Sequence, residues 1–141
     1  MKSYGEPSSP LPLPAAVGTS VLVVDDEAAV RRFAVRVLER EAYVVIEARD
    51  GMEALELIQG GSTLVEVVVS DIVMPRLNGV ELMQALSVSH PDLPIILMSG
   101  YATGGLAELG IAAPCAILPK PFLSERLLEE VRRCISQRNR K

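Results

Sequence analysis

The stretch VLVVDDE, residues 21–27, decides the fold of this chain, together with the stretch VVVSD at residues 67–71. Each is a run of apolar, mostly β-branched residues that ends in an acid, which is typical of a buried parallel strand carrying a carboxylate to the edge of a sheet. Functional groups collect at the carboxyl ends of the strands in open α/β sheets. The sequence therefore predicts that Asp25, Asp26 and Asp71 lie together at one edge.

Three carboxylates at one edge need a compensating charge, because like charges at short distance repel one another. A shared proton would relieve the repulsion, and so would a divalent cation, since Mg2+ prefers oxygen ligands and takes one or two carboxylates from a protein. A simpler interpretation is that Asp25 and Asp26 only cap the following helix at its positive end. The second acidic strand end, at Asp71, favours the metal site over that interpretation.

The composition restricts the class of protein. The 141 residues suit one domain, and 49% of them are hydrophobic while only 4% are aromatic, so aliphatic side chains must fill the core. A net charge of −4 argues against direct nucleic-acid binding, and we also expect no membrane contact. Because no signal-peptide pattern is visible, we expect a cytoplasmic protein in which Cys115 and Cys134 are free thiols.

The chain divides into three parts. Residues 1–18 form a leader or linker rich in proline and serine that we expect to be extended or disordered, residues 19–136 form the domain, and residues 137–141 form a basic tail. Within the domain, strands are predicted at 21–25, 44–48, 66–71, 95–99 and 115–118. Helices follow the first four strands and the last begins near residue 124, but the helix over 101–110 is weakened by Gly104 and Gly105. This alternation predicts a parallel sheet with right-handed crossovers.

The first helix has an apolar face made of Val30, Phe33, Ala34, Val37 and Leu38, with arginines on its other side. Pro119 beside the last strand favours an edge position, where a missing N–H does little harm.

Two more polar residues follow strands of the predicted sheet. Ser99 ends the fourth strand, and Lys120 follows the fifth between Pro119 and Pro121. Taken alone, Ser99 is better explained as a turn residue and Lys120 as a solvated charge. Together with the acids they describe a phosphoryl site, in which a metal, a hydroxyl and an ammonium group hold an anion.

The motifs VLVVDDE, VVVSDIVMPRLNG, ILMSGYA and LPKPF occur in an order and at a spacing that resemble those of response-regulator receiver domains of two-component signalling. The resemblance covers about residues 20–136. It implies an α/β, flavodoxin-like (βα)5 three-layer sandwich with a five-stranded parallel sheet in the order 2-1-3-4-5.

The resemblance also implies roles for single residues. Asp71 would accept a phosphoryl group from a phosphohistidine on a sensor histidine kinase or a phosphotransfer domain, and the domain would catalyse only its own phosphorylation and dephosphorylation. Ser99 would be the switch hydroxyl, Lys120 would pair with phosphorylated Asp71, and the Lys120–Pro121 peptide would be cis. Mg2+ or Mn2+ would be held by four groups: Asp25, Asp26, Asp71 and the backbone carbonyl of Val73.

The sequence departs from the common receiver pattern in two respects. Ile117, three residues before Lys120, stands where many receivers carry a Tyr or Phe that rotates with the switch, so Tyr101 would either take part of that role or only shield the site. Val73, two residues after Asp71, is apolar and cannot orient an attacking water through its side chain. We therefore expect a long-lived phosphoryl group on Asp71.

Several alternatives stay open at this point. The chain is either a free-standing regulator or the receiver of a hybrid sensor kinase, and its output protein is unidentified. A degenerate receiver that only binds other proteins is disfavoured by the intact acids, serine and lysine. A phosphohydrolase with an aspartate nucleophile is disfavoured, because enzymes of that class carry a second acid two residues after the nucleophile, where this chain has Val73. The only histidine, His90, lies in a predicted loop, so the donor histidine must come from elsewhere. Charges of both signs on the last helix leave a homodimer open.

Overall fold

The computed structural model describes residues 18–61, 63–100 and 113–139. The leader up to residue 17 lies outside these ranges, as do the predicted weak helix with Gly104 and Gly105, and Tyr101. Within the described ranges no helix is both long and apolar enough to cross a lipid bilayer.

The centre of the fold is a sheet of five parallel strands. The strands are β1 (Ser20–Val24), β2 (Val44–Ala48), β3 (Val67–Asp71), β4 (Ile95–Ser99) and β5 (Ala116–Pro119). They lie in the order β2-β1-β3-β4-β5, with every neighbouring pair parallel. This confirms the predicted order and the edge position of the strand that ends at Pro119.

Four helices in the described ranges connect or follow these strands. They are α1 (Ala28–Arg40), α2 (Gly51–Gln59), α3 (Gly79–Ser89) and α4 (Ser124–Asn139). Asp50 caps α2, because its side chain accepts a hydrogen bond of 2.9 Å from the backbone N–H of Glu53.

The sheet separates two apolar cores, because successive strand residues point to opposite faces. On one face, α1 and α4 cover side chains such as Val23, Val69 and Met98. On the other face, α2 and α3 cover side chains such as Leu22 and Leu97. The middle strands β3 and β4 are buried at every position, which explains why their sequences are continuous apolar runs rather than alternating ones.

The predicted apolar face of α1 is only partly correct. Ala34, Val37 and Leu38 are buried as expected. Phe33 is instead 41% exposed, and its ring packs at a tilt against Phe122 with 5.9 Å between the ring centroids.

The prediction that Cys115 and Cys134 are free thiols is wrong, since the two residues form a disulfide. Cys115 directly precedes β5, and Cys134 lies on the face of α4 that packs against the sheet. This packing brings their Cα atoms to 6.1 Å, which is within disulfide reach although the residues are 19 positions apart. The spacing in the sequence gave no sign of this proximity.

The connection from β3 to α3 is closely packed and orients the end of β3. Gly79 lies directly against the backbone of Asp71 and Ile72, where a Cβ atom would overlap the carbonyl oxygen of Asp71. Asn78 caps α3: its side chain accepts from the N–H of Glu81 at 2.8 Å, and the Glu81 side chain accepts from the N–H of Asn78 at 3.0 Å.

We expect the substitution Asn78→Ala to lower the free energy of unfolding by about 1 kcal/mol, because the first turn of α3 loses its side-chain acceptor. Asn78→Asp is the matched control, since a carboxylate keeps the acceptor and suits the positive end of the helix. Urea unfolding followed by circular dichroism measures both variants. Equal stability of the alanine variant and the wild type would contradict the assignment of this cap.

Candidate functional site

Three carboxylates meet where β1 and β3 end. Asp25 directly follows β1 and Asp71 is the last residue of β3, and these two strands are neighbours in the sheet. One carboxylate oxygen from each of Asp25, Asp26 and Asp71 lies within 4.8 Å of the others. Asp25 is fully buried, Asp71 is 8% exposed and Asp26 is exposed, so the cluster opens to solvent on one side.

The ammonium group of Lys120 lies between two of these acids. Its Nζ is 3.2 Å from Oδ2 of Asp25 and 3.2 Å from Oδ2 of Asp71. The backbone N–H of Lys120 donates to the carbonyl of Ser99 at 2.7 Å, which extends the β4–β5 pairing by one bond, and the following peptide to Pro121 is cis. The lysine is therefore placed by the sheet itself, through its outermost strand.

Burial and charge shift the pKa values of this group of residues. Burial, followed by the charge of Asp25, raises the pKa of Asp71 above its usual range, and the attraction of Lys120 only partly offsets this. Burial by itself would lower the pKa of Lys120, but the carboxylates of Asp25 and Asp71 outweigh it and the pKa is raised. Lys120 is therefore charged at neutral pH, while the ionised form of Asp71 lowers the free energy of unfolding.

The donor set fits a divalent cation. By formal charge, three carboxylates against one ammonium group leave an excess of about two negative charges, and the carboxylate oxygens are hard ligands of the kind that Mg2+ prefers. The residues present thus suit Mg2+ in both charge and chemistry.

Three of the other predicted site residues lie on β4, on β5 and in the loop after Asp71. Ser99 is the last residue of β4, next to β3, and is only 5% exposed. Ile117 is half-buried on β5 and pairs with Leu97. Val73 lies in the loop after Asp71 and is 63% exposed. Tyr101 lies outside the described residues.

Arg31 also belongs to the site. The sequence alone placed this residue only on the polar side of α1. Its guanidinium donates to the carbonyl oxygen of Asp25 at 2.8 Å and to Oε1 of Glu47 at 2.9 Å, and its side chain is only 13% exposed. It therefore holds the backbone from which the carboxylate of Asp25 projects. The signal in the sequence was weak: Glu47 is an acid near the end of the strand that neighbours β1.

A second ion pair outside the cluster holds the loop that follows Asp71. Arg76 donates from Nε and Nη2 to the two carboxylate oxygens of Asp50, at 2.9 and 3.0 Å. These hydrogen bonds lower the pKa of Asp50. The backbone N–H of Gly51 also donates to the carbonyl of Leu77, so this loop is joined to the beginning of α2 at two points.

Comparison with known proteins shows the same architecture and the same family. Residues 21–132 match the response regulator receiver domain family. The chain is 40% identical over 121 residues to the sensor kinase CckA of Brucella abortus (strain 2308), and 40% identical over 113 residues to the response regulator MprA of Mycobacterium sp. (strain KMS). These matches cover 85% and 79% of this chain, but only 13% of the kinase and 48% of the regulator.

Among solved structures, the response regulator TrrA of Thermotoga maritima, in complex with Mg(2+)-BeF, superimposes with a TM-score of 0.74 at 30% identity. The superposition covers 82% of this chain and 98% of TrrA. The chain therefore belongs to the response regulator receiver domain family, the signalling domains of two-component systems, and it has the flavodoxin-like fold of that family.

We expect Asp71→Asn to raise the melting temperature at pH 7 in the presence of a chelator. The folded-state pKa of Asp71 is raised, so its ionisation destabilises the fold above that pKa, and this penalty fades as the pH falls toward the ordinary value of the carboxyl group. The difference between variant and wild type should therefore shrink at acidic pH, which serves as the internal control. A variant that melts lower than the wild type at pH 7 would contradict the assignment.

Proposed function

We propose that this domain is a phosphoacceptor, and that Asp71 takes the phosphoryl group from a phosphohistidine on a histidine kinase or phosphotransfer domain. The observation that carries the proposal is the bridging position of Lys120, 3.2 Å from both Asp25 and Asp71. A buried carboxylate with a raised pKa, held beside a fixed ammonium group and open to solvent on one side, suits an acceptor of an anionic group.

The reaction needs alignment and charge neutralisation rather than further covalent chemistry. A carboxylate oxygen of Asp71 attacks the phosphorus atom of the donor, the bond from phosphorus to the imidazole nitrogen breaks, and the electron pair stays with the donor imidazole. The product is an acyl phosphate on Asp71. Lys120 remains charged throughout and neutralises the negative charge that accumulates on the phosphoryl oxygens.

Asp25, Asp26 and Asp71 would hold a divalent cation, Mg2+ or Mn2+, together with the backbone carbonyl of Val73. When bound, such a cation screens the charges of the carboxylates and of the incoming phosphoryl group. Arg31 supports this arrangement from behind, because it ties the carbonyl of Asp25 to Glu47.

In the phosphorylated state we assign Ser99 as the hydroxyl donor and Lys120 as the cationic partner of the phosphoryl group. Both residues follow strands adjacent to one another in the sheet, and the N–H of Lys120 already donates to the carbonyl of Ser99. Ile117 cannot take part in a hydroxyl-coupled rotation, since it has no polar atom in its side chain, so Tyr101 would either take part of that role or only shield the site.

The donor domain would approach over the apolar side of the site. Phe33 and Phe122 stack there, and Val30 of α1 and Pro121 line the same surface beside Lys120. A donor placed on this surface, in the cytoplasm, would bring its phosphohistidine to the open side of the acidic cluster. The donor lies either on a separate chain or elsewhere on a longer hybrid kinase that contains this domain, and the switched surface then acts on an output partner.

The direct test is phosphorylation with a small donor. Incubation with Mg2+ and acetyl phosphate, or with Mg2+ and beryllofluoride, should give one stable adduct per chain by intact mass spectrometry under native conditions. Asp71→Asn should abolish it, and chelation of the metal should abolish it in the wild type.

Asp92→Asn is the matched control, because Asp92 is an exposed carboxylate in the loop before β4, at the opposite end of the sheet from the cluster. It should be modified as the wild type is. An adduct that persists in Asp71→Asn, or no adduct in the wild type, would contradict the proposal, and steady release of phosphate from simple phosphate esters would indicate a phosphohydrolase instead.

The lifetime of the acyl phosphate is a separate prediction. Val73 is 63% exposed and carries no polar group that could orient an attacking water, so we expect slow hydrolysis and a several-fold faster loss in Val73→Asn. Phosphate release after removal of the donor measures both rates.

Val73→Ala is the control for shape, since it removes side-chain volume without adding a polar group. It should lose its phosphoryl group as slowly as the wild type. A wild-type half-life of seconds, or equal acceleration in both variants, would count against water orientation as the cause.

A further inference from the structure

The disulfide between Cys115 and Cys134 lies outside the acidic site, at the opposite end of β5 from Lys120. These are the only two cysteines in the sequence. The bond joins the residue before the outermost strand to the third turn of α4, 19 positions later. The proposed phosphoacceptor chemistry does not involve this disulfide.

The two sulfur atoms have different surroundings. Cys134 has no exposed surface and belongs to the core under α1 and α4. Cys115 is partly exposed, and its Sγ lies 3.5 Å from Oε1 of Gln137, a residue with an exposed side chain. A reagent from solvent therefore reaches Cys115 before Cys134.

Two arginines lie near Cys115. Arg133 donates from Nη2 to the carbonyl oxygen of Cys115 at 2.8 Å, and Arg138 lines the same cavity of about 220 Å³ as both cysteines. Glu130, which pairs with Arg133, and Asp92 and His90 in the cavity wall are the other titratable groups nearby. The thiolate of a cysteine is the form that reacts with disulfides.

We propose that Cys115 and Cys134 are a reversible thiol–disulfide site whose substrate is a low-molecular-weight disulfide such as oxidised glutathione. The thiolate of Cys115 attacks one sulfur of the small disulfide, a mixed disulfide forms, and one small thiolate leaves. Cys134 then loses its proton to solvent and attacks the sulfur of Cys115, and the second small thiolate leaves. Two protein thiols and one small disulfide thus become one protein disulfide and two small thiols.

The bond acts at one of the two edges of the sheet. As an edge strand, β5 pairs only with β4, and the described contacts of its beginning with α4 are the disulfide, the hydrogen bond from Arg133 and the core packing. Reduction leaves the latter two in place, so the dithiol form stays folded. It should melt about 10 °C lower, because the unfolded chain is no longer cross-linked across a loop of this length.

The test is equilibration of the full chain in mixtures of reduced and oxidised glutathione, followed by acid quenching, alkylation and intact mass spectrometry. The fraction of disulfide should change gradually with the ratio of the two glutathione forms, and the same curve should be reached from the reduced and from the oxidised protein. A chain that stays fully oxidised in millimolar reduced glutathione, or fully reduced in millimolar oxidised glutathione, would overturn the proposal.

Two variants test the order of the steps. Cys134→Ala should form a stable mixed disulfide at Cys115, while Cys115→Ala should react at least about tenfold more slowly, since buried Cys134 is reached only after local opening. Equal rates would refute the assignment of Cys115 as the entry thiol. If either variant fails to fold, the equilibrium measured with the wild type still decides the proposal. In addition, a reductant should lower the melting temperature of the wild type but not that of Cys115→Ala.

Discussion

The contact of Lys120 with Asp25 and Asp71 is the interaction on which the site depends. A parallel sheet with two buried strands that end in acids concentrates negative charge where water is scarce, and burial penalises each ionised group. The ammonium group reduces this penalty without removing it, since the pKa of Asp71 remains raised. The remaining negative charge is what makes the edge receptive to a cation and, with it, to an anionic group.

The surrounding structure keeps this unfavourable cluster in place. Arg31 fixes the backbone of Asp25, and the close approach of Gly79 fixes the backbone of Asp71. The pair of Arg76 and Asp50 holds the loop between Asp71 and α3. These contacts come from helices on both faces of the sheet, so the geometry of the acids is determined by the fold rather than by the acids themselves.

Much of the fold and of the cluster could be predicted from the sequence, because strands buried on both faces leave continuous apolar runs. The runs before Asp25, Asp71 and Ser99 located three strand ends, and the proline beside Lys120 indicated an edge strand. Because all strands of the sheet are parallel, these strand ends were expected to meet at one edge. The motifs then identified the family, which the comparisons confirm.

What the sequence did not show depends on contacts between distant elements. The role of Arg31 requires Glu47 on a neighbouring strand, and helical periodicity assigned it only to a polar face. Phe33 fits the apolar period of α1 but packs against Phe122 and stays partly exposed. The pairing of Cys115 with Cys134 depends on how α4 lies against β5, which neither spacing nor composition determines.

The separation of the site residues along the chain has a consequence for synthesis of the protein. Asp25 and Lys120 are 95 positions apart, and Lys120 follows the last strand to be made. A nascent chain whose β5 is still in the ribosome already contains all three acids of the cluster, but it lacks the ammonium group that balances them. The charge balance of the acidic edge is completed only when the sheet is, so an unfinished or truncated polypeptide would carry the acidic cluster without its compensating ammonium group.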